Sequence, residues 1–216
     1  MLICASYVQG SPKFSYLKFY IPKILLYSRL IFCLIIVTLI VFEYPNSKWI
    51  VLVLLYVGVL ADVFDGIIAR RLNISTESFR LLDTLFDLLF YLAVFLFIFS
   101  TNSHEIESNV SLILGVLSLE FLMYAISLFR FNKLPSPHAI LSKFWGLYLV
   151  VEFTLLILEI KGNHFAIALA IGLFVHLDRV LIYILLRKWD HDIPSSYHAL
   201  LIRNGKQIKR RRLFNG

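Results

Sequence analysis

Four aspartates define the chemistry open to this sequence. Asp62 and Asp65 are three residues apart in Ala61-Asp62-Val63-Phe64-Asp65-Gly66-Ile67-Ile68-Ala69-Arg70. Asp83 and Asp87 are four apart in Arg80-Leu81-Leu82-Asp83-Thr84-Leu85-Phe86-Asp87. Residues three or four apart share a face of a helix, so two antiparallel helices joined by a turn can bring all four carboxylates together. Four like charges in a low-dielectric place repel and lose hydration, and a cation must compensate. Hard oxygen ligands in this number suit Mg2+, Mn2+ or Ca2+. Two such ions sharing carboxylates would clamp a phosphoryl or pyrophosphate group. Gly66 and Ala69 fall on the face of the first pair and would let a ligand approach the backbone. Arg70 could pair with a phosphate. The competing reading is a set of helix-end charges in headgroup water, paired with Arg70, Arg71 and Arg80. It suits any one of these aspartates better than it suits all four at these spacings.

The elements that must hold the aspartates are membrane helices. The chain has 216 residues, 59% hydrophobic and 16% charged, with a mean hydropathy of +0.80, whereas soluble domains carry about 25% charged residues. That excludes a soluble globular protein and a disordered chain. The two cysteines, Cys4 and Cys33, exclude a disulfide scaffold. Apolar runs of about 20 residues cross a bilayer, and six are expected, at 22–42, 49–67, 80–100, 109–129, 139–159 and 164–186. They are continuous rather than alternating, so they are helices and not barrel strands. The expected class is all-α, a polytopic membrane protein with six transmembrane helices and a short N-terminal interfacial helix. Turn formers separate the spans at Tyr44-Pro45-Asn46-Ser47, Thr101-Asn102-Ser103 and Leu134-Pro135-Ser136-Pro137.

Residues 1–21 read as a leader and interfacial helix, because lysines and aromatics mix over residues 13–21, with a disordered leader as the equal alternative. Residues 22–190 read as the membrane domain and 191–216 as a basic cytoplasmic tail. The N-terminus has no basic region of the secretory kind. Basic residues set orientation. With the N-terminus inside, Lys13, Lys18, Lys23, Arg29, Arg70, Arg71, Arg80, Arg130, Lys133, Lys143 and the tail all fall on the cytoplasmic side. Only Lys48 and Lys161 fall outside. The net charge of +7 then faces anionic lipid of the inner leaflet, and Lys206–Arg212 reads as a lipid-facing run rather than a nucleic-acid site. Short loops suit a prokaryotic inner membrane. Glu120, Glu152, Asp178 and Arg179 lie within spans, where an ionisable group is a functional candidate by default. The alternative is Arg179 pairing with Glu120 or Glu152. His176 reads as a packed residue and His138 as an interfacial one.

The aspartate motif resembles that of the CDP-alcohol phosphatidyltransferases. Their pattern is Asp-x-x-Asp-Gly-x-x-Ala-Arg, then eight residues, Gly, three residues, Asp, three residues, Asp. Here it reads Asp62, Asp65, Gly66, Ala69, Arg70, Asp83 and Asp87, with every interval kept. Ile21-Pro22-Lys23 followed by Arg29 resembles the family's first span, and Ser142-Lys143 resembles a basic acceptor-side element of many members. One position departs: the second glycine falls on Phe79, on the nucleotide side in the family.

The resemblance implies six helices and displacement of CMP from a CDP-linked donor by an alcohol. Asp62, Asp65, Asp83 and Asp87 would ligate a pair of Mg2+ or Mn2+ ions, and Asp87 would also be the general base. Gly66, Ala69, Arg70 and Phe79 would border the nucleotide and its phosphates. The expected donor is CDP-diacylglycerol and the acceptor a polar alcohol. Arg130, Lys133 and Lys143 are candidates to hold an acceptor that is itself phosphorylated, such as glycerol 3-phosphate or inositol phosphate. A soluble CDP-alcohol with a lipid alcohol is the alternative pair of substrates, and a degenerate membrane binding protein is the non-enzymatic one. A metal transporter is disfavoured, because the aspartates lie at one interface rather than mid-membrane. Family members are commonly homodimers.

Overall fold

The computed structural model describes the backbone of residues 12–72, 77–135, 139–191, 193–206 and 208. Side chains are described over the same residues except 12–19, 69–71, 77–81 and 84. The described residues form eight helices and no strand. These are α1 (Pro12–Val41), α2 (Ser47–Arg71), α3 (Glu77–Thr101), α4 (Ser103–Ser108), α5 (Val110–Phe131), α6 (Ile140–Ile157), α7 (His164–Leu185) and α8 (Ser196–Arg203). Helices satisfy every backbone group within the segment, which a hydrocarbon surround demands. The chain is thus an all-helical polytopic membrane protein.

Among the described residues, five segments are long and apolar enough to span: Tyr20–Val41, Ser47–Ile68, Val110–Phe131, Ile140–Ile157 and His164–Leu185. Leu85–Thr101 is a shorter apolar stretch within the third expected span, 80–100, and the side chains of residues 80, 81 and 84 in that span lie outside the described residues.

The expected interfacial helix is not a separate element. Residues 12–21 are helical and run straight on into the first span as α1, with Pro22 inside the helix. Pro22 has no N–H to give, so α1 lacks one ladder bond at that point. The first two turns fall where expected, and Ser136 and Pro137 of the third lie outside the described residues. Between α1 and α2, Glu43 and Asn46 take positive φ of 45° and 58°. At the end of α5, Asn132 takes a left-handed conformation and its N–H reaches Leu128 O at 2.9 Å, a common helix stop.

The chain divides into two compact units, up to Thr101 and from Asn102. In the first, α1 packs along both α2 and α3, which touch each other much less. Its core holds Leu26 and Ile36 of α1, Leu55 of α2 and Phe90, Val94 and Ile98 of α3. Gly58 lets α2 meet Phe90 closely, since a Cβ there would lie 2.5 Å from the ring.

In the second unit, α7 is the centre, with α5, α6 and α8 packed on it. Trp145 of α6 lies over Gly172 of α7 and donates its indole N–H to Ala168 O at 3.0 Å. A Cβ at Gly172 would sit 2.7 Å from that indole, and small residues allow such close helix contacts in membranes. Gly172→Leu is therefore expected to lower the melting temperature of the detergent-purified protein, by overpacking worth about 1–3 kcal/mol. An unchanged melting temperature would show that Trp145 can yield.

The start of the expected tail is folded. Ile193 and Ala199 are buried with Met123, Val180, Ile182, Tyr183 and Leu186 in one apolar cluster. The N–H of Ser196, which opens α8, donates to Asp178 Oδ1 at 3.0 Å. The run 209–212, His138 and the side chains of Lys13 and Lys18 lie outside the described residues.

Candidate active site

The first unit builds its polar site from three helices. α2 carries Asp62 and Asp65 one turn apart, and the first turns of α3 carry Asp83 and Asp87. The structure brings these four carboxylates together. At their centre is Arg29 of α1, a residue that the motif does not contain. Its guanidinium is wholly buried. Nη2 donates to Asp65 Oδ2 at 2.5 Å and to Asp83 Oδ1. Nη1 donates to Asp62 Oδ1 at 3.3 Å and pairs with Asp87 Oδ1.

The four aspartates are not equivalent. The Asp65 side chain is 0% exposed, against 37% for Asp62, 27% for Asp83 and 26% for Asp87. Asp65 therefore forms the floor, and the other three line the opening. One oxygen from each of Asp62, Asp83 and Asp87 lies within 4.8 Å of the other two. Asp65 Oδ1 is buried without a hydrogen-bond partner.

Among the described side chains, four carboxylates face one guanidinium, an excess of three negative charges. Such an excess is costly away from water. Clustered carboxylate oxygens, excess negative charge and an orphaned buried oxygen together fit hard divalent cations such as Mg2+ or Mn2+.

The remaining expected site residues of this unit are only partly described. Gly66 is half-buried on α2 next to Asp65. Ala69 and Arg70 lie in the last turn of α2 and Phe79 in the first turn of α3, and their side chains are outside the described residues.

The three acceptor candidates belong to the second unit. Lys143 is exposed in the first turn of α6. Arg130 has an employment that the sequence did not suggest. It donates to the carbonyls of Tyr183 at 2.7 Å, Ile184 at 2.8 Å and Leu186 at 3.0 Å. These belong to the end of α7, where carbonyls lack intrahelical partners, so Arg130 caps that helix from α5. Lys133 Nζ lies 4.6 Å from the centre of the Trp189 ring, a cation–π contact, and the indole N–H of Trp189 donates to Leu134 O at 3.1 Å.

The ionisable groups within the spans of this unit are paired. Of the two partners considered for Arg179, the structure selects Glu120, at 2.5 and 3.2 Å. His176 Nδ1 lies 2.9 Å from the same carboxylate, and the ring meets Trp145 edge-on. Glu152, fully buried, pairs with His164 Nδ1 at 2.8 Å. These contacts tie α5 to α7 and α6 to α7.

The sequence model of one family, CDP-alcohol phosphatidyltransferase, matches residues 19–189. No curated protein and no solved structure matches the chain. The match covers well over half of the chain and includes Arg29 and all four aspartates. The chain belongs to the CDP-alcohol phosphatidyltransferase family, phosphotransferases of phospholipid synthesis that take a CDP-alcohol and an alcohol acceptor.

Proposed function

We propose, with that membership as premise, that the protein transfers a phosphatidyl group from CDP-diacylglycerol to a polar alcohol and releases CMP. The observation that carries this reading is the convergence of Asp62, Asp83 and Asp87 over Asp65, with the family's motif spacing intact. Asp62, Asp65, Asp83 and Asp87 would hold a pair of Mg2+ or Mn2+ ions. When bound, the ions neutralise the pyrophosphate and stabilise the leaving group.

The chain's own residues do the rest. Gly66 and Ala69 border the nucleotide, Arg70 takes a phosphate oxygen, and Phe79 fills the place of the family's second glycine. Asp87 accepts the proton of the acceptor hydroxyl. The hydroxyl oxygen forms a bond to the phosphorus that bears the diacylglycerol. The bond from that phosphorus to the bridging oxygen breaks, and its electron pair leaves with CMP. For a phosphorylated acceptor, Lys143 supplies the countercharge. Arg130 and Lys133, which also serve the α7 carbonyls and the Trp189 ring, are the other candidates for that role. Both termini and the aspartate site face the cytoplasm, where the basic residues concentrate, and two chains form a homodimer.

The test is CMP release by purified protein with CDP-diacylglycerol, Mg2+ or Mn2+, and glycerol 3-phosphate, inositol, inositol phosphate or serine. Release with one acceptor, lost with a chelator and restored by the metal, is the expected result. No release with any of them overturns the proposed donor and acceptor. A soluble CDP-alcohol with diacylglycerol is then the next pair to test, and Phe79→Gly the next variant.

A further inference from the structure

Arg29 stands where cations are expected. Its fork presents Nη1 to Asp62 and Asp87 and Nη2 to Asp65 and Asp83. Arg29 Nε is buried without a hydrogen-bond partner, so the guanidinium is committed to the aspartates and to nothing behind them. Without such a cation, four carboxylates on two helices would drive α2 and α3 apart.

The arrangement conflicts with a loaded site. Two divalent ions bring four positive charges to four carboxylates, and Arg29 would add a fifth beside them in a poorly screened place. Arg29 and the ions also compete for the same three carboxylates, Asp62, Asp83 and Asp87. Asp65 differs, being wholly buried with Oδ2 2.5 Å from Nη2, while its Oδ1 has no hydrogen-bond partner and is left for an ion.

We propose that Arg29 is a placeholder cation. It keeps the four aspartates assembled while no divalent ion is bound, gives up Asp62, Asp83 and Asp87 as ions enter, and stays with Asp65. Arg29 is then a positioning residue, and its charge sets a penalty on metal entry. This inference rests on the reading of the aspartates as the divalent-metal site.

The experiment reads stability and metal binding rather than turnover. Arg29→Met keeps the length of the side chain and removes the charge. Metal-free Arg29→Met is expected to melt several degrees below the parent protein, and saturating Mn2+ to close the gap. Mn2+ affinity by calorimetry is expected to rise by roughly tenfold or more, because no resident cation has to be displaced. Equal or weaker Mn2+ binding overturns the proposal and makes Arg29 a permanent counter-ion. If Arg29→Met does not fold, Arg29→Lys carries the test. A compact ammonium cannot face four carboxylates as the fork does, so Mn2+ binds that variant more tightly than the parent, and equal or weaker binding again overturns the proposal. Asp83→Asn separates the two readings. If it leaves Mn2+ affinity of the parent unchanged, the metal site itself is wrong. If it abolishes binding while the Arg29 variants fail to tighten it, only the placeholder role is wrong.

Discussion

Asp87→Asn is expected to reduce CMP release about a thousandfold, within the range that a positioned general base contributes. The amide has nearly the shape of the carboxylate and keeps one oxygen for a cation. It cannot accept a proton. Asp87 is suited to both tasks because it lines the opening of the cluster, partly exposed, rather than its buried floor. The two tasks are separated by measuring Mn2+ affinity beside the rate. Loss of the base lowers the rate far more than the affinity, and it removes the acid limb of the pH–rate profile. An Asp87→Asn protein that keeps more than about a tenth of the parent's rate would rule out Asp87 as the base. Equal losses of rate and affinity would reduce it to a ligand.

The largest effect on stability is expected at Glu120. Glu120→Ala leaves Arg179 without its bidentate partner and His176 without its acceptor, in the middle of α5 and α7. The pair is partly buried, with Arg179 16% and Glu120 29% exposed, so breaking it from one side costs less than the about 3–5 kcal/mol of a fully buried pair, while replacing both partners by apolar groups is often neutral. The double variant Glu120→Ala with Arg179→Leu is therefore expected to recover most of the loss in a thermal unfolding series. A double variant as unstable as the single one would show that the pair is not what joins these helices, because the coupling would vanish.

The helices and the aspartate motif were legible because their signals are local. A spanning segment declares itself by length and apolar content, and Asp62, Asp65, Asp83 and Asp87 by intervals of three and four. Arg29 reads in the sequence as a basic residue of the cytoplasmic side and as part of the first-span resemblance, although it lies inside the apolar run 22–42. The rule that an ionisable residue within a span must have a partner, applied to Glu120 and Arg179, applies equally there. What sequence could not supply is which carboxylates face it, since these come from two other helices. Arg130 shows the same limit. Its type and position suit phosphate binding, and only the return of α7 to α5 reveals the carbonyls that it serves. Residues 191–216 read as a tail because their charge outweighs their few apolar residues. Ile193 and Ala199 carry the contrary signal but are too sparse to form a periodic pattern.

Those two residues separate the boundary of kinship from the boundary of folding. The family match stops at residue 189, yet Ile193 and Ala199 complete the apolar cluster around Tyr183, and Ser196 is tethered to Asp178. A chain trimmed to the matched region would keep all four motif aspartates and lose the wedge that closes the end of α7. The end of α7 therefore reaches its final packing only once the segment that carries Ile193 and Ala199 is also in place.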